Sequence, residues 1–215
     1  MVEAGYLAYF FYAFASVFII VNPVEATMVF ISLTPDASAR ERARISLRAA
    51  SVAYTVALLF ALTGDMILRF FGTTVDSLRV AGGILLFIMA IEMLKAKPRR
   101  KVTAAELADA SDREDVSIFP LATPLLTGPG AITTVIVLMG TASGPLEKGV
   151  VLLALTATFV ASYLILRSSE YVSRILGVTG ILVMTRIMGL LLGAIAVNFV
   201  AVGAWNIYAG LAGIS

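Results

Sequence analysis

The chain has 215 residues, 60% of them hydrophobic and 14% charged, with a mean hydropathy of +0.96, more apolar surface than a water-soluble domain can hide. It contains no cysteine and no histidine, which excludes disulfides, thiol chemistry, soft-metal sites and imidazole proton relays and leaves carboxylates as the proton carriers. A formal net charge of +2 is too small to point to nucleic acid, so the expectation is an all-α membrane protein that is not an enzyme and carries no cofactor or metal.

Six apolar segments follow one another: residues 4–33, 45–68, 75–94, 116–146, 149–166 and 187–209. The start "MVEAGYLAYF" lacks a basic n-region, and the apolar run behind it is too long for a signal peptide, so it is expected to remain as the first span. A straight span needs roughly 20 residues at about 1.5 Å per residue. The first and fourth segments exceed that length, and each contains a break.

In the first segment the break is Asn22-Pro23 within "VNPVEATMVF", and in the fourth it is Gly128-Pro129 within "TGPGAITT". Proline suits the first position of a new helix, with asparagine or glycine just before it as a cap. Glu25 stands three residues after Asn22, the spacing of a capping box in which the carboxylate turns back to a free N–H. Both motifs therefore predict half-helices that start inside the bilayer.

Thirteen of the 16 basic residues fall after segments one, three and five, among them Arg40, Arg42, Arg44, Arg48, Arg167, Arg174 and Arg186. Only Arg69, Arg79 and Lys148 lie on the other side, so the first side is expected to be cytoplasmic, with both termini outside a cytoplasmic (inner) membrane. Tyr6, Tyr9, Tyr12, Trp205 and Tyr208 would form an outer aromatic belt. Residues 96–115 read as a solvated cytoplasmic linker.

The two halves, 1–95 and 116–215, match at a near-constant offset. Pro23 and Thr27 pair with Pro129 and Thr133 at 106 residues, Asp65, Arg69 and Gly72 with Glu170, Arg174 and Gly177 at 105, and Arg79 and Gly82 with Arg186 and Gly189 at 107. Three crossings per half is an odd number, so the expected fold is six transmembrane helices as two inverted three-helix repeats, with helices 1 and 4 broken near the midplane. Asp65 with Arg69 and Glu170 with Arg174 have the i, i+4 spacing of ion pairs or gate latches.

Unpaired backbone groups in hydrocarbon cost several kcal/mol each, so two such breaks are expected to share a polar pocket. A helix start presents N–H donors and a partial positive charge that suit a carboxylate. A zwitterionic amino acid would place its carboxylate at Gly130 and Ala131 and its ammonium toward Glu25, the candidate for proton coupling. The expected substrate-binding set is Asn22, Pro23, Glu25, Thr27, Gly128, Pro129, Gly130, Ala131, Thr133 and Asn198. The small residues in it favour a small ligand. Rivals are simple proline kinks, a structural protein, drug or metabolite efflux, and an intramembrane enzyme, the last disfavoured by the lack of histidine, cysteine and a facing aspartate pair.

The blocks "VNPVEATMVFISLT", "RVAGGILLFIMAIEML", "FPLATPLLTGPGAITTVI" and "RIMGLLLGAIAVNF" resemble the MarC family, which includes the SnatA-type transporters of small neutral amino acids. The resemblance runs through almost the whole chain except the linker. Asn22-Pro23 answers to the family's Asp/Asn-Pro motif and Gly128-Pro129-Gly130 to its Gly-Pro-Gly motif, whereas Glu25 departs from the small residue the pattern implies there. The resemblance implies proton-driven transport of glycine, alanine, serine or threonine rather than drug export, and Na+ stands beside H+ as a candidate coupling ion.

Overall fold

The computed structural model describes residues 2–95 and 117–214, so the expected linker 96–115 and Val116 lie outside the described residues. The regular structure within them is helical throughout, without strands. Five described segments have the length and apolarity to cross a bilayer: Gly5–Leu33, Ala39–Phe70, Val75–Leu94, Pro145–Arg167 and Ser169–Ala212.

The first of these is two helices, α1 (Val2–Val21) and α2 (Pro23–Leu33), joined at Asn22. α3 (Ala39–Phe70) starts on a reciprocal cap: the Glu41 backbone N–H donates to Ser38 Oγ at 3.3 Å, and the Ser38 N–H donates to Glu41 Oε2 at 2.8 Å. Gly72, with φ +64, ends that helix, and Thr73 N–H reaches back to Leu68 O at 2.9 Å. α4 (Val75–Leu94) follows, capped by the Thr74 hydroxyl, which accepts from Ser77 N–H at 3.1 Å. In the second half a π-helical segment (Ser117–Leu126) precedes α5 (Pro129–Thr141), α6 (Pro145–Arg167) and α7 (Ser169–Ala212). α7 is bent at Gly177, whose φ of +60 only glycine adopts cheaply. Gly72 and Gly177, 105 residues apart, thus both take a positive φ.

The packing comes in matched pairs. α4 runs along α7 with the most extensive contact, and α3 lies along α6. α5 packs on α4 as α2 packs on α7, and the π-helical segment packs on α3 as α1 packs on α6. Small residues permit this closeness. α3 turns Ala49, Ala53, Ala57, Ala61 and Gly64 inward and leaves Leu59, Leu62 and Met66 exposed, the distribution of a helix whose neighbours are protein on one side and lipid on the other.

Ion pairing departs in part from the i, i+4 expectation. Asp65 and Arg69 do pair, at 2.9 Å. Glu170 instead pairs with Arg42 of α3, because the start of α7 lies beside the start of α3. The Arg42 Nη2 also donates to the carbonyls of Thr34 at 3.0 Å and Pro35 at 3.2 Å, so one guanidinium ties α2, α3 and α7 together. At the opposite end of α3 and α4, Asn206 Nδ2 donates to Asp76 Oδ1 at 3.0 Å and closes α4 on α7. In the expected aromatic belt Trp205 and Tyr208 are exposed, but Tyr9 turns inward and donates its hydroxyl to Leu138 O at 3.3 Å.

Candidate functional site

At the first break, α1 keeps its hydrogen bonding up to Asn22, whose N–H donates to Phe18 O at 2.9 Å. Asn22 then takes the left-handed conformation, φ 45 and ψ 61, and Pro23 opens α2. Asparagine is one of the few side-chain-bearing residues that visit this region readily. The Asn22 Oδ1 accepts from Glu25 N–H at 3.4 Å, and its Nδ2 donates to Glu25 Oε2 at 2.6 Å. This differs from the expected capping box in one respect. The Asn22 backbone N–H is already used by α1, so the Glu25 carboxylate meets the side-chain amide instead. Asn22, Pro23, Glu25 and Thr27 are all buried, and the Thr27 hydroxyl donates to Val24 O at 2.6 Å, within its own helix.

At the second break the π-type spacing runs on to Thr127, whose N–H donates to Ala122 O at 3.0 Å, while its hydroxyl donates to Ala53 O of α3 at 2.9 Å. Gly128 is extended, φ −82 and ψ 176, and Pro129 opens α5. A glycine offers no side-chain cap, so the first-turn donors of α5 have none.

Helix packing brings the end of α1 against the start of α5. A Cβ built on Gly130 would lie 3.4 Å from Ile20 Cγ2, two residues before Asn22, and 2.9 Å from Leu86 Cδ2 and 3.2 Å from Met89 Sδ of α4. The surroundings of Gly130 are therefore apolar and close-packed, where an open polar chamber was expected. One turn on, Thr133 lies against Gly82 of α4 so tightly that a Cβ on Gly82 would come within 2.0 Å of Thr133 Cγ2. Gly130, Ala131 and Thr133 are buried, Gly128 is half-buried, and Pro129 is exposed. Asn198 is exposed on α7 and does not join the buried group, because that helix turns Ala196 and Phe199 inward.

Sequence reasoning missed Thr127 and Thr134. The first bonds across to α3; the second is fully buried, and its Oγ1 has no hydrogen-bond partner, an orphan of the kind that polar sites carry. Their clustering with Thr133 around "TGPGAITT" was the available signal. Among the described residues no group of three or more acidic side chains is gathered as a metal site would require.

A family model of MarC family integral membrane proteins matches residues 7–208. A UPF0056 membrane protein of Methanocaldococcus jannaschii is 41% identical over 197 residues, covering 92% of this chain and 96% of its own. One from Aquifex aeolicus is 38% identical over 208 residues, 96% of each chain, and one from Escherichia coli, YhcE, is 36% identical over 204 residues, 94% of each. No solved structure gives a significant match.

Proposed function

The chain belongs to the MarC family of integral membrane proteins, and from that premise we propose that it is a secondary transporter of small neutral amino acids, working by alternating access. The architecture in this reading is six crossings in two inverted three-helix repeats, 1–95 and 116–215, in the cytoplasmic membrane with both termini outside. Three observations support it: proline-opened helix starts 106 residues apart, Gly72 and Gly177 with matching positive φ, and packing partners that come in equivalent pairs.

The observation that carries the substrate assignment is the approach of the uncapped start of α5 to the first break, through Ile20 and Gly130, where Asn22 holds a buried carboxylate. The donors at Gly130 and Ala131 would receive the substrate carboxylate, and Glu25, held by Asn22, would face its ammonium or carry a coupling proton. The Thr134 hydroxyl supplies a further polar group. With Ile20, Leu86 and Met89 packed on Gly130, entry requires α5 to part from α1 and α4, which is the movement of one repeat against the other. Space this tight favours glycine, alanine, serine or threonine over a drug-sized cargo.

The test is uptake of radiolabelled glycine, alanine and threonine by purified protein in liposomes under imposed H+ and Na+ gradients. Accumulation of at least one of them above protein-free liposomes is expected. Failure of all three under every gradient removes the substrate assignment.

A further inference from the structure

A groove of about 210 Å³ runs between α3 and α6. Leu47, Ser51 and Tyr54 line it from α3, and Thr156, Phe159 and Tyr163 from α6. The walls are apolar apart from hydroxyls, and the most prominent of these satisfy one another: Tyr54 Oη and Thr156 Oγ1 are 3.0 Å apart, with the Tyr54 ring edge-on to Phe159 at 5.9 Å. The volume is below the roughly 300–1,000 Å³ of a drug-sized pocket, and its form is that of a slot between two helices.

The slot has a charged end. Tyr54 meets Thr156, and Leu47, seven residues before the one, lines the same slot as Tyr163, seven residues after the other, so α3 and α6 run antiparallel with Leu47 level with Tyr163. Arg44 lies one turn before Leu47 on the same stripe of α3, and Arg167 one turn after Tyr163 on the same stripe of α6. Both arginines are exposed. The Arg167 Nη1 donates to the Tyr163 hydroxyl at 2.9 Å, and its guanidinium lies 6.0 Å from that ring. Neither arginine pairs with a carboxylate among the described residues. Two cations at one level, topping an apolar slot that faces the bilayer, complement an amphiphile with an anionic head.

We propose that this groove holds one acyl chain of an anionic phospholipid whose phosphate sits between Arg44 and Arg167. The lipid comes from the leaflet at that end of α3 and α6, and Tyr163 orients Arg167 toward it. The site does not depend on the transport reading, since it involves neither break.

Native mass spectrometry of the full chain, delipidated and then titrated with dioleoylphosphatidylglycerol or dioleoylphosphatidylcholine, tests it. One phosphatidylglycerol should be retained per protomer in preference to phosphatidylcholine, without displacement by inorganic phosphate. Arg44→Gln with Arg167→Gln should weaken retention roughly thirtyfold, each arginine near an anionic headgroup contributing about fivefold. Val160→Trp, a change at an exposed position on the groove wall, should block the slot with both arginines intact, and so it serves if the double variant fails to fold. Equal retention of the two lipids, or selectivity untouched by either variant, overturns the proposal. So does a dimer that Val160→Trp dissolves without any lipid selectivity, since a second copy would then occupy the groove.

Discussion

Asn22 and Glu25 are bonded to each other twice: the side-chain amide of Asn22 donates to the Glu25 carboxylate at 2.6 Å, and its oxygen accepts the Glu25 backbone N–H at 3.4 Å. One residue thereby ends α1, caps α2 and fixes a carboxylate inside the protein. The left-handed backbone at Asn22 is what turns these groups toward each other.

Replacing Asn22 separates its two roles. Asn22→Ala loses the cap, about 1 kcal/mol, and forces a Cβ-bearing residue without local hydrogen bonding into the left-handed region, about 1–2 kcal/mol more. Asn22→Gly keeps the backbone free and should lose less. Thermal unfolding in detergent should rank wild type above N22G above N22A; N22A at or above N22G would show that the backbone is not held left-handed.

Glu25→Gln retains an oxygen that can accept from Asn22, so the fold should survive with a loss of about 1 kcal/mol as a charge-assisted bond becomes neutral. Uptake in liposomes should lose its response to a proton gradient. An unchanged pH response with intact transport would take Glu25 out of coupling.

Gly82→Ala drives a methyl into Thr133 and should cost about 1–3 kcal/mol. Thr133→Ser removes the methyl that it meets, so the double variant should recover most of that loss. Equal destabilisation of the single and double variants, measured in the same unfolding assay, would locate the strain elsewhere.

Thr127→Val keeps the shape and deletes the hydroxyl bonded to Ala53 O. A loss of about 1 kcal/mol is expected. A stability equal to wild type would mean that this bond does not anchor the second break to α3.

Glu170→Gln should change stability by under about 1 kcal/mol, since the Glu170 side chain is 69% exposed and such pairs are screened. Arg42→Ala should cost more, because it also removes the bonds to Thr34 and Pro35. Equal effects of the two changes would assign the clasp to the ion pair alone.

The membrane class, the two interruptions and the Asn22 cap of α2 were legible in the sequence, because hydropathy is a property of composition and a helix start is decided by residues three or four apart. The offset between halves likewise paired Gly72 with Gly177, and both take a positive φ. Only the tertiary structure decided that Glu170 reaches Arg42 instead of Arg174, that Asn198 faces outward, and that Ile20, Leu86 and Met89 close over Gly130. Those outcomes depend on which helices cross and at what level. In a chain this uniformly apolar, periodicity does not say which face of a helix meets protein and which meets lipid. The small residues that admit close neighbours mark where contact is possible, and packing selects the partner.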